Sequence, residues 1–162
     1  VFEMTAQMKV RYHVSTKPLS AGKVMPVPVT AMKSLSTDWH KEVYKHMVEG
    51  LVGTGLYRDE ARSMVETWWT SYFNKPGLRV FWVVPEADTA SILPLQVTPT
   101  PRDVVRVLVG RSEVMRPSFE QMLAKESVAK DQNPWKYRMS DRFGLAWKQR
   151  VDAIKGLKQV KR

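Results

Sequence analysis

The chain has no cysteine. That rules out disulfides, thiolate metal sites and cysteine nucleophiles, and with them the stapled secreted mini-domains and the zinc-finger modules. It has no apolar run near the roughly 18–20 residues that cross a bilayer, and no secretory leader can be read in it. Because it begins at Val1 rather than a methionine, the missing leader says nothing of export. Histidine is scarce at three residues, so a histidine-rich metal site has few donors to draw on. Negative charge is also short, with 16 Asp+Glu against 26 Lys+Arg and a net charge of +10. Such an imbalance calls for an acidic partner or an anionic surface.

What is present suffices for an ordinary domain. Of the 162 residues 43% are hydrophobic, enough for a real core and too many for global disorder. The charge is uneven. Residues 1–124 hold 15 basic and 12 acidic side chains, a net of +3, whereas 125–162 hold 11 and 4, a net of +7. This gives a single α+β domain over 1–124 and a basic, partly helical extension over 125–162.

Residues 2–14 alternate without a break, with Phe2, Met4, Ala6, Met8, Val10, Tyr12 and Val14 on one face. Period two predicts one half-buried strand. Lys23–Met32 is extended, and Pro26 and Pro28, each without a backbone donor, assign it to a sheet edge. A helix is predicted from Thr37 or Asp38, with Trp39, Val43, Met47, Val48 and Leu51 as its stripe and Gly53 and Gly55 as its stop. A second runs from about Arg58 to Phe73, with Ala61, Met64, Val65, Trp68 and Tyr72 inward. The short connection makes the two an antiparallel pair. Two apolar runs, Arg79–Pro85 and Asp103–Met115, predict central strands joined by a proline-punctuated connection. Ser118 and Gln121 are spaced as a capping box for a short helix. A basic amphipathic helix over about 140–160 places Phe143, Trp147, Val151, Ile154 and Leu157 at helical spacing. The fold class is therefore α+β, an antiparallel or mixed sheet of three to five strands on a helix pair with a basic helical tail.

The elements GLYRDEA, MVETW, SYF, PGLRVFWVVP, LPL and RVLVGRSEV, in that order over about 39–115, resemble a family of uncharacterised bacterial proteins that bear the marks of export. Those proteins carry MV-x-TW, GLRVLY-x-xP, LPL and RV-x-VGR-x-E segments. The resemblance implies a bacterial periplasm or cell-envelope location and no activity, cofactor or catalytic residue.

The residues do not assemble a reaction. Gly50, Gly53 and Gly55 follow a helix and read G-x-x-G-x-G, which is helix termination rather than a dinucleotide loop. His40 and His46 are six apart, not the i, i+4 pair that shares a metal, and His13 lies on a polar strand face. Asp59, Glu60, Glu66, Glu86, Asp88 and Glu113 are candidate acids, but Asp59 and Glu60 suit a helix start and Glu113 suits a cross-strand pair. No nucleophile elbow is present. Neither a cofactor nor a metal is implied.

The binding candidates are aromatic and basic. Adjacent tryptophans on a helix point about 100° apart, so Trp68 is core and Trp69 is a core-edge or interface residue. In the tail, Trp135, Tyr137, Arg138, Arg142, Trp147, Lys148, Arg150, Lys155 and Lys158 interleave aromatic and cationic groups. The sequence points to a non-catalytic structural or accessory subunit of a larger protein assembly, docked through these residues. The alternative is an RNA-binding accessory subunit of a ribonucleoprotein such as an organellar ribosome, and an anionic lipid surface is a third use for residues 125–162.

Overall fold

The computed structural model describes residues 1–5, 7–15, 17–35, 37–126 and 143–160. Two compact units divide the chain, Val1–Ser112 and Glu113–Arg162. The fold is α+β, with a five-stranded sheet.

The alternating N-terminal stretch forms a hairpin instead of one long strand. β1 (Phe2–Met4) pairs antiparallel with β2 (Val10–Tyr12), Phe2 opposite Tyr12 and Met4 opposite Val10. The tight turn between them includes Thr5 N–H to Lys9 O at 2.9 Å and puts Met8 at φ 60°. Even residues face even residues in this register, so the apolar face survives the reversal and period two cannot reveal the turn. Phe2, Met4, Val10 and Tyr12 are buried, while Met8 and Val14 are exposed.

The edge prediction also shifts. Residues 23–28 join no element, Val29–Ala31 is a 3-10 turn, and the edge strand is β3 (Lys33–Leu35), past both prolines. β4 (Gly77–Val84) pairs antiparallel with β1, and β5 (Leu108–Val114) lies beyond it, giving the order β3-β2-β1-β4-β5.

The helix pair is α1 (Trp39–Val52) and α2 (Arg58–Trp68). Their stripes meet through Val48, Leu51, Ala61 and Val65, and Val43 joins Phe2, Met4, Val10, Tyr12 and Phe73 in the core on the sheet. The glycine that permits the turn is Gly55, at φ +104°, while Gly53 keeps a right-handed helical conformation. At the start of α2 the Glu60 carboxylate accepts the Tyr57 backbone N–H at 3.0 Å, supplying a partner that the helix cannot.

The second predicted helix does not run evenly to its end. After Trp68 the chain widens into a π turn, Trp69–Phe73. Its wider spacing aims Phe73, which is fully buried, at Phe2 (5.1 Å between ring centroids) and Phe81 (5.3 Å). Just beyond it, buried Arg79 donates to the carbonyls of Lys75 (2.7 Å) and Pro76 (3.3 Å).

Two expectations for the central strands change. The connection holds a helix, α3 (Glu86–Ile92), and the second strand starts only at Leu108. In the second unit α4 (Pro117–Glu126) begins at Pro117, so Ser118 lies inside it and is not its cap; the Arg116 carbonyl takes the Glu120 N–H at 2.9 Å. α5 (Gly144–Val160) packs on α4, burying Leu123 and Val151, with Phe119 edge-on to Trp147 at 5.5 Å.

Candidate docking surface

Pro85 and the acids Glu86 and Asp88 at its start are what form α3: proline is pre-set for a helix entry, and negative charge suits the positive end of the dipole. Thr89 anchors the helix, buried, with its hydroxyl 3.4 Å from the Val84 carbonyl. Leu93 N–H bonds the Thr89 carbonyl at 2.9 Å and closes the last turn. The chain then runs to Val107 without a further element, stiffened by Pro94, Pro99 (cis) and Pro101.

Every residue from Ala90 to Val105 is exposed. Six of them are large and apolar, Ile92, Leu93, Leu95, Val97, Val104 and Val105, with 46% to 60% of their surface open. Scattered exposed leucines are ordinary, but a dense exposed apolar group marks an interaction site. Three of them, Leu95, Val97 and Val104, line an open groove of about 620 Å³ together with other residues of α3 and the loop, Glu86 and Arg106 among them. Arg106 donates through Nη2 to the Leu93 carbonyl at 2.5 Å, and Val105 is seated against Gly55, where a Cβ would come within 3.2 Å of it. The first closes the loop on itself, and the second holds it against the turn between α1 and α2.

A second cluster gathers at the other edge of the sheet. Glu42 on α1 accepts from the Tyr12 hydroxyl at 2.7 Å and from Lys33 Nζ at 2.5 Å, while His46 Nδ1 lies 2.9 Å from the Glu42 carbonyl and 3.4 Å from the Tyr12 oxygen. The Lys33 and Tyr12 hydrogen bonds hold the Glu42 carboxyl below its usual range. Burial, and then Glu42 itself, push the Tyr12 phenol up to about 12. A phenol so raised stays protonated at neutral pH and is a poor acid, and the group ties β2 and β3 to α1. It is a structural clasp.

The remaining candidates separate. His13 Nδ1 contacts the Ala31 carbonyl at 3.3 Å and His40 lies edge-on to Trp39. Among the described residues no three of His, Asp and Glu group as a metal site. Glu66 accepts from the Tyr44 hydroxyl at 2.9 Å. Trp69 is half-buried inside its own unit, stacked on Trp39 (5.9 Å, 14°) and against Tyr44 and Phe73. Trp147 is spent on Phe119. Lys148 pairs with Asp152 at 2.5 Å and Arg150 with Glu120 at 2.7 Å, so two of the predicted binding cations already hold carboxylates. Lys155 sits half-buried on α5, and Lys158 is described by its backbone alone. Trp135, Tyr137, Arg138 and Arg142 lie outside the described residues.

The groove and its apolar rim were missed in the sequence. The two proline-flanked runs, Ile92–Leu95 and Val104–Val107, were the signal, but apolar content reads as core unless a structure shows what covers it. No family model, curated protein or solved structure matches this chain. Among the described residues no helix is long and apolar enough to cross a membrane.

Proposed function

We propose that the protein is a non-catalytic accessory subunit that docks into a larger protein assembly through the apolar surface at Ile92–Val105. The observation that carries this reading is the unbroken exposure of that segment with its six large apolar side chains. Apolar surface costs about 25 cal/mol per Å² while it faces water, and a partner removes that cost. The excess of 26 basic over 16 acidic side chains favours an acidic partner. Trp69 and Trp147 support the two units from within, and the tail basics steer association at long range. The exported-family resemblance over about 39–115 supports the bacterial periplasm or cell envelope as the place of this assembly.

The native size of the endogenous protein in a mild-detergent lysate tests this, with and without RNase. A large species that survives RNase and falls to a monomer with the L95D/V97D double substitution is the expected result. Retention of the complex by that folded variant would remove this surface from the account. Collapse of the wild-type species on RNase is the result for the second reading, RNA binding, which the +10 charge favours and which weakens steeply with salt.

A further inference from the structure

The groove beside α3 is mostly apolar, with Leu95, Val97, Pro101 and Val104 in its lining, yet it carries a cation, Arg106. One Nη2 bond to the Leu93 carbonyl fixes that guanidinium to the loop. Among the described residues no carboxylate stands within ion-pair reach of it, although Glu86 lines the same groove. A guanidinium has five N–H donors, of which this bond uses one, and such a planar fork lining a groove suits a carboxylate held by two parallel hydrogen bonds.

Resting on the docking reading above, we propose that this groove receives a peptide segment of the partner in which an apolar side chain sits next to a carboxylate. The apolar side chain lies on Leu95, Val97 and Val104, and the carboxylate is taken by Arg106. The extent of the surface argues for a peptide over a small molecule. Ile92, Leu93 and Val105 are about as exposed as the lining residues but lie outside the lining, so a ligand filling only the groove would leave them in water. An extended peptide can reach beyond the groove where a small molecule cannot. Glu86 repels a carboxylate placed on its own side of the groove, which leaves Arg106, the cation of the lining, as its seat. Pro94, Pro99 and Pro101 restrict the loop before it binds, so little entropy is lost on docking.

Selection of displayed random peptides on the full chain tests the proposal. The expected enrichment is an Asp, Glu or terminal carboxylate beside Leu, Ile, Val or Phe. The strongest synthetic peptide is then titrated by fluorescence anisotropy. Arg106→Gln weakens binding by about 10-fold or more, the loss of one charge-assisted pair. Leu95→Asp abolishes binding, and Arg102→Gln, on a side chain that is 97% exposed and beside Asp103, leaves it unchanged. Amidating the peptide's carboxylate costs the wild type as much as Arg106→Gln does and costs the Arg106→Gln variant nothing further. Failure to enrich any peptide, enrichment without an acid, or unchanged affinity in Arg106→Gln would overturn the proposal. Native size separates it from the docking reading: a complex that survives Arg106→Gln but not L95D/V97D sinks only the carboxylate, and one that survives both sinks the surface as well.

Discussion

Single side chains in this protein act mostly as fasteners, and two of them give sharp tests. Glu42 is the shared acceptor of Tyr12 and Lys33. Because its folded pKa lies below the ordinary glutamate value, its contribution to stability is present above that value and is lost as pH falls through the folded one. Urea midpoints of the wild type and Glu42→Gln should therefore differ at neutral pH and converge as pH falls below the ordinary glutamate range and on through the lowered folded value. The neighbouring phenol has the opposite sign. The Tyr12 folded pKa of about 12 lies above its ordinary 10, so its contribution holds below pH 10 and is lost as pH rises towards 12. Tyr12→Phe should cost about 1 kcal/mol near neutrality, the usual worth of a hydrogen bond. The second test is Gly110, which lies under the Trp82 indole. An added Cβ would come within 2.2 Å of Trp82 Cε2. Gly110→Ala should cost about 1–3 kcal/mol by overpacking, moderated because Trp82 is 46% exposed and free to swing out. In a double-mutant cycle, Trp82→Ala should erase most of that penalty.

At the scale of elements, the π turn after α2 sets the register between helix and sheet. Phe73 is fully buried between Phe2, Phe81 and Trp69. Phe73→Ala should cost about 3–5 kcal/mol in denaturant unfolding. Deleting exposed Thr70 should cost a comparable amount, because an even α register turns Phe73 off the sheet, while Thr70→Ala should be near neutral. Equal melting temperatures for the deletion and the wild type would show that the widened turn is dispensable. The same stretch shows where reading by period stops. Ala61, Val65 and Trp68 follow a 3.6-residue repeat, and the helix pair was legible from it. The widened turn was not, because no residue type marks a π turn. The N-terminal hairpin escaped for a related reason: Phe2, Met4, Val10 and Tyr12 keep their parity across a reversal that happens to span an odd number of residues.

For the molecule as a whole, the exposed segment from Ala90 to Val105 and the charge excess support one account, a subunit that is finished by its partner. The tail contributes less than its composition suggests, since Lys148 and Arg150 are already paired within their own unit. Exposed pairs of this kind are worth about 0–1 kcal/mol, so Glu120→Gln should leave the melting temperature nearly unchanged. The L95D/V97D pair should instead leave the fold and its near-ultraviolet circular dichroism intact while removing the protein from its complex.

The amino-acid sequence by itself determined the α+β class, the existence of a helix pair beginning near 38 and 58, two central strands without their exact bounds, and the absence of any thiol chemistry. These rest on local periodicity and residue type, which act within a few turns of chain. Tertiary structure alone decided that Val104 and Val105 face water, that Arg79 and Arg111 are buried, the latter with its guanidinium 4.0 Å over the Tyr72 ring, and that a groove opens beside α3. Burial belongs to the pair of surfaces that meet. An apolar run such as Ile92–Leu95 reads the same whether its cover is the chain's own sheet or another protein.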